Sequence, residues 1–387
     1  MKHEFQNVCL QSNSVNLLIE NGLIKSISNS AEEFTHIITP LSVDPHVHLD
    51  KTFTASRCPI HQTGLFGAIE IMREDYVNWS EKDIRTRMQI AIQEAYENGI
   101  YALRSHVDWQ STTPNLAWHV LGELIEDWSD RLVIQRSALM SVDLFENLET
   151  SRKIAKIVSE KNGVLGCFVY KQKNFSKGLK YIFDAAKHYD LYLDFHVDEG
   201  LDADATALDE IIELTKLHQM SGKVLCGHAC SLAVRCPTEV EILANDAAKA
   251  GLSLVVLPTT NLQLQDNTLG RTPRLRGIAP IHELKSAGIP ISFGADNVAD
   301  PFFRMGSYDS IETLKLACMV AHLNPNDWLS SITENPANAL GIDLPKIEIG
   351  APADFILLEG RNWEEALRTD RKTRQVFRSL ELKNNGY

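Results

Sequence analysis

Metal-ligating side chains fall in one tight run near the start of the chain, Asp44-Pro45-His46-Val47-His48-Leu49-Asp50. On a β-strand, residues two apart share a face, so His46 and His48 can present two imidazoles to one metal ion. With 13 histidines in 387 residues, about 0.4 such pairs arise by chance, and the pair alone says little. Three other runs share its character: Asp194-Phe195-His196-Val197-Asp198-Glu199, Cys226-Gly227-His228-Ala229 and Phe293-Gly294-Ala295-Asp296-Asn297. Each places a histidine or an aspartate just where an apolar, β-rich stretch ends. Taken singly, His196, His228 or Asp296 reads as an ordinary structural polar residue. Taken together with His46 and His48, they are ligand candidates.

The elements that must hold these residues follow from the pattern of apolar positions. Strand candidates are Ile37 to Val47, Tyr101 to Val107, Leu132 to Met140, Val164 to Val169, Leu191 to Val197, Lys223 to Gly227, Leu252 to Leu257 and Pro290 to Gly294. Between them lie amphipathic helical stretches such as Glu81 to Asn98, with Ile84, Met88, Ile92 and Ala95 near one face, and Thr206 to Met220. Glycines after helices, as in Asn98-Gly99 and Ala250-Gly251, sharpen the boundaries. Eight strand-helix units predict a closed α/β barrel, the (β/α)8 or TIM fold, whose active sites lie at the C-terminal ends of the strands. That is where the five candidates fall. Residues 1–36 and 343–387 carry short alternating runs without long helices, and are expected to pair into a small β-sandwich-like domain, leaving 37–342 as the barrel.

Composition narrows the partners. A net charge of −13 argues against nucleic acid and anionic membranes, which need clustered Lys and Arg. A small-molecule ligand fits better. The seven cysteines form no CxxC pair and read as buried thiols in a reducing compartment. The N-terminus lacks the apolar core of a signal peptide and no apolar run is long enough to span a bilayer, so a cytoplasmic protein is expected, with a homo-oligomer left open.

A His-x-His on strand one, histidines on strands five and six and an aspartate on strand eight resemble the amidohydrolase superfamily. The likeness runs from Pro45-His46-Val47-His48-Leu49-Asp50 through Arg104-Ser105-His106-Val107-Asp108 and His196-Val197-Asp198-Glu199 to Gly350-Ala351-Pro352-Ala353-Asp354-Phe355. Within that superfamily the chain is most similar to the aminohydrolase branch, the cytosine deaminases in particular. The resemblance implies one divalent ion, Zn2+ or Fe2+, held by His46, His48, His196 and Asp296. Such an ion lowers the pKa of bound water from 15.7 toward about 7. It further implies that Glu199 protonates a ring nitrogen and then the departing ammonia, that His228 orients the nucleophile, and that Asp296 also serves as base.

The implied reaction is hydrolytic deamination of an aminated pyrimidine, triazine, purine or pterin. Removal of an alkylamine or opening of a cyclic amide is the alternative, and a ligand-binding pseudoenzyme a third reading. The chain departs from the cytosine deaminase pattern where a glutamine would read the pyrimidine edge: alignment puts Leu139 there, and Asn297 where a second aspartate is usual. Leu139, Asn297, Phe302 and Lys171 are therefore the expected substrate contacts. Binuclear relatives carry a lysine on strand four that bridges two metals; Lys171 falls past the end of that strand, so one ion is expected. His106 is expected to be a structural histidine, and Asp108 is given no role.

Overall fold

The structure is a computed structural model and describes residues 2–60 and 64–384. The chain begins with β1 (Lys2–Leu10), β2 (Asn13–Glu20), β3 (Leu23–Asn29) and β4 (His36–Pro40). It then enters β5 (Ser42–Val47), β6 (Ile100–Asp108), β7 (Val133–Ser141), β8 (Val164–Val169), β9 (Leu193–Val197), β10 (Val224–His228), β11 (Ser253–Val256) and β12 (Ile291–Phe293). Strands β13 (Phe355–Glu359) and β14 (Gln375–Phe377) close the chain. Two sheets result, one of six strands in the order β14-β13-β4-β1-β2-β3 and one running β5 through β12 in sequence.

The second sheet is all parallel and closes on itself. Asp296 N donates to His46 O at 2.9 Å and His48 N to Asp296 O at 3.2 Å, so the seam joins the end of β5 to the residues just past β12. The Asp44 carboxylate reinforces it by accepting from Ala295 N at 3.2 Å. Helices follow most of the strands, as the expected (β/α)8 barrel requires.

The stretch Ile37 to Val47, read from sequence as one strand, is two. Pro40 ends β4 in the six-stranded sheet, and after Leu41 the chain starts β5 in the barrel. Both pieces are buried on both faces through most of their length, so the apolar run shows no break where the sheets change. The alternating runs at the two ends do meet, in the six-stranded sheet. Its own core is Val8, Val15, Leu17, Ile19, Ile24, Ile38, Phe355 and Leu357.

Inside the barrel, side chains two apart along each strand stack in layers. The lowest is apolar: Val43, Ala102, Leu225 and Val255 pack on Ala337 and Leu340 of the helix Glu334–Leu340. Above it sits a buried ion pair, Arg104 Nη1 to Asp194 Oδ2 at 2.8 Å, with Gln135 accepting from the same guanidinium. The next step up, two residues further on, is histidine: His106 after Arg104 and His196 after Asp194. Of the cysteines, Cys9, Cys58, Cys167, Cys226 and Cys230 are buried as expected, whereas Cys236 is exposed and Cys318 partly so. Among the described residues no helix is long and apolar enough to cross a membrane.

Candidate active site

His46 is the fifth residue of β5 and His48 lies just past its end, His196 is the fourth residue of β9, His228 is the last of β10, and Asp296 lies three residues past β12. All five are at most 4% exposed. His228 and Asp296 hold φ of +71° and +61°, left-handed values that L-residues rarely adopt and that turn both side chains inward at the strand ends. Room for the rings comes from glycine. A Cβ on Gly227 would stand 3.0 Å from His46 Cε1, and one on Gly294 3.1 Å from His46 Cβ.

The donor atoms converge. His196 Nε2 lies 3.0 Å from His46 Nε2 and 3.1 Å from His48 Nε2. Asp296 Oδ1 lies 3.6 and 3.3 Å from the same two nitrogens. Two nitrogens bound to one tetrahedral zinc at 2.0–2.1 Å stand about 3.3 Å apart, so the spacing fits a shared ion. The protonation states fit as well. Burial, before any neighbouring charge, holds His46, His48 and His196 well below the usual imidazole range, leaving them neutral as ligands must be. Burial and then the charge of Asp300 push Asp296 up to about 8, and neither of its carboxylate oxygens has a hydrogen-bond partner. A divalent cation beside it would hold it ionised.

Two overlapping triads of donor atoms lie within 4.8 Å, His46-His106-His196 and His46-His228-Asp296. The first contains His106, which the sequence marks only as a structural histidine. His106 is wholly buried, its ring centroid 4.1 Å from that of His46 and 4.6 Å from that of His196, with neither nitrogen hydrogen-bonded. The period-two series Ala102, Arg104, His106 and Asp108 on β6 was the available signal, since a strand that contributes Arg104 to the interior must also contribute His106.

Glu199 follows His196 by three residues and is 4% exposed. Burial, then the Asp296 charge, raises its carboxyl well above the ordinary range. Its Oε1 is 3.4 Å from His228 Nδ1, to which the Asn261 side-chain nitrogen also approaches at 3.0 Å. The intervening Asp198 has another task, accepting from Ala207 N and Leu208 N at the start of the helix Ala207–Leu217.

These groups open into a cavity of about 640 Å³. Leu139, Asn297 and Phe302 line it, as expected. The Asn297 amide is tied to Asp300 at 2.7 Å. Lys171 is not brought there: it takes φ +56°, and its ammonium turns outward to Asp204 at 2.8 Å and Asp202 at 3.6 Å. It neither lines the pocket nor approaches the histidines, because the chain turns away from the barrel axis immediately after β8. The cavity roof is α1 (Gly64–Asp75), which sends Leu65, Phe66, Ile69 and Met72 toward it. Lys51, Tyr76, Trp109 and Phe168 complete much of the wall and were missed from sequence, since nothing in their spacing marks them.

A (β/α)8 barrel with imidazoles and a carboxylate gathered at its C-terminal mouth has the architecture of a metal-dependent hydrolase. The model of the amidohydrolase family matches residues 74–379, and the chain belongs to that family. It is a hydrolase acting on carbon–nitrogen bonds other than peptide bonds. It is 33% identical over 375 residues to a pterin deaminase of Rhizobium rhizogenes, covering 94% of this chain and 86% of that one. It is 24% identical over 358 residues to the N-isopropylammelide isopropyl amidohydrolase of a Pseudomonas species, covering 88% and 84%. In fold it is similar to the crystal structure of 5-methylcytosine deaminase from Klebsiella pneumoniae liganded with 5-fluorocytosine, with a TM-score of 0.83 at 24% identity over 98% of this chain and 96% of that one.

Proposed function

We propose that this chain is a metal-dependent hydrolytic deaminase of a small aminated nitrogen heterocycle, with pterin-type bicyclic rings the leading substrate class. The observation that carries the reading is Glu199, a buried carboxyl 3.4 Å from His228 that faces the cavity beside the donor cluster, its pKa raised by burial. His46, His48, His196 and Asp296 are the proposed ligands of one ion. Zinc and ferrous iron both suit three imidazoles and a carboxylate, and either supplies a water nucleophile at neutral pH when bound. Glu199 gives its proton to the ring nitrogen next to the amine-bearing carbon, which makes that carbon electrophilic. His228, held through Nδ1 by Asn261 and Glu199, orients the attacking water with Nε2. Asp296 takes the proton the water loses; Glu199 recovers a proton from the hydroxyl of the adduct and delivers it to the amine, which leaves as ammonia while the ring nitrogen keeps its proton in the product, and the proton on Asp296 then returns to Glu199. His106 packs against the rings of His46 and His196 and is a positioning residue.

Support for a pterin-type ring comes from the named relative at 33% identity and from a cavity with room for more than one six-membered ring. The similarity to an N-isopropylammelide amidohydrolase keeps alkylamine release as the second reading. A screen of pterin, cytosine, aminopurines and aminotriazines with Zn2+- and Fe2+-loaded protein, scored by ammonia, is the test. An alkylamine or a ring-opened product in place of ammonia would reverse the ranking.

A further inference from the structure

One charged pair on the cavity wall has no part in this chemistry. Lys51 Nζ lies 2.8 Å from Asp108 Oδ2, and the Tyr76 hydroxyl donates to the same oxygen at 3.3 Å. Both members are fixed from behind by Asp50, which accepts from Lys51 N and from Asp108 N, each at 2.9 Å. The ammonium also stands 4.9 Å from the Phe302 ring centroid. The side chain of Lys51 is 5% exposed and that of Asp108 24%, and both line the cavity. A buried ion pair is weak evidence of stabilisation, because desolvation offsets most of its attraction. Its position is more telling.

Lys51 follows β5 and Asp108 ends β6, and in a closed ring of eight strands β5 is four places from β9 in either direction. The pair therefore faces Glu199 across the mouth. Next to it, on β7, Leu139 offers no hydrogen bond. A ring that presents one nitrogen to Glu199 turns another polar edge toward this side, and that edge would be left desolvated and unpaired if only Leu139 met it. We infer that Lys51 and Asp108 read a lactam edge of the substrate, the ammonium donating to the ring carbonyl and the carboxylate accepting from the adjacent ring N–H. A donor and an acceptor side by side match that edge and no lone carbonyl or lone amine as well. The substrate class is thereby narrowed to aminated heterocycles that carry a cyclic amide. The inference rests on the deaminase reading only for the placement of the reactive edge at Glu199.

The test compares pterin with the aminopteridine that has the same ring and amine but lacks the ring carbonyl and its neighbouring N–H. Binding to zinc-loaded full-length protein is read by ligand fluorescence immediately after mixing, ahead of turnover, with metal content and thermal midpoint measured alongside. The wild type should bind pterin at least about 10-fold more tightly than the analogue. Asp108→Asn and Lys51→Met should each weaken pterin by about 10- to 100-fold while changing the analogue less than about 3-fold, with metal content unchanged. Equal weakening of both compounds would make the pair a loop pin and overturn the inference, as would unchanged pterin binding in both variants. Ammonia release from both compounds without discrimination leaves the deaminase reading and removes this one. Discrimination without ammonia release does the reverse.

Discussion

Asp296 is asked to be a ligand and a proton acceptor at once, and Glu199 to stay protonated within reach of it. Burial serves the second demand by raising the Glu199 carboxyl, whereas the first needs a divalent cation to hold the buried Asp296 ionised, so the two side chains can be tested separately. His46→Ala or Asp296→Ala should lower bound metal and turnover together, because a lost ligand takes the ion with it. Full metal occupancy with normal rate in either variant would remove that residue from the site. Glu199→Gln should keep its metal, as judged by elemental analysis, while turnover falls at least about 10²-fold, the usual scale of general acid–base catalysis. Near-normal turnover would refute the assignment. Leu139 does line the cavity, at 8% exposure, and cytosine carries its carbonyl beside the nitrogen presented to Glu199 rather than on the Lys51–Asp108 side, so cytosine should remain a poor substrate. A kcat/KM for cytosine above about 10⁵ M⁻¹s⁻¹ would show that another group answers its carbonyl edge.

The elements differ in how much of them was visible beforehand. β8 begins and ends where the apolar run does, and α2 (Glu81–Glu97) starts behind Ser80, whose hydroxyl caps Asp83 N. Strand ends were legible because parallel strands buried on both faces read as unbroken apolar runs bounded by polar residues. By the same token the β4–β5 break was invisible, and so was the turn after β8 that carries Lys171 outward. The roof element α1 was not anticipated at all. It is held by Arg57, which precedes it and grips Asp75 at its end through two 2.7 Å bonds while also bonding Asp83. Burial pushes the Asp75 carboxyl up, but hydrogen bonds from Arg57, Trp79 and Asn78 outweigh it and leave the carboxyl below its ordinary range. A depressed carboxylate pKa contributes stability that is present above the unfolded value of about 3.9 and is lost as pH falls through the folded one. Urea unfolding should therefore show stability dropping below about pH 4, and Asp75→Asn should flatten that drop. An unchanged slope in the variant would mean that Arg57 does not hold α1 through this carboxylate.

At the scale of the molecule, the two chain ends share one sheet, and that sheet is bolted to the barrel. Arg374, just before β14, reaches Asp309 at 2.7 Å. Asp309 is wholly buried and also caps the helix Ser310–Ala321 through Ile311 N and Glu312 N. A few residues on, Arg378 donates to Tyr96 O and Ile100 O at 2.7 and 2.9 Å, where α2 gives way to β6. Arg374→Ala would leave a buried carboxylate with its backbone donors and the more distant Arg371, 3.8 Å away. The loss should lie toward the lower end of the roughly 3–5 kcal/mol seen when one member of a buried pair is removed, measured by chemical denaturation. A change below about 0.5 kcal/mol, the size of an ordinary surface substitution, would mean that the Arg374–Asp309 pair does not fasten the sheet to the barrel. None of these long-range ties could be read from spacing, because their partners are separated by tens to hundreds of residues.

The barrel seam has a consequence for how the protein is made. The backbone bonds that close the ring run between His46, His48 and Asp296, so the place where the sheet is fastened and the place where the proposed ligands meet are one. On a ribosome, the two histidines emerge early and their aspartate only after the eighth strand has been translated. A nascent chain shorter than that has an open sheet and an incomplete coordination sphere, and the last step of assembly supplies both at once. Metal acquired earlier would be held loosely by imidazoles alone. Stalled chains ending before Asp296 should accordingly surrender zinc to a mild chelator that the finished protein resists.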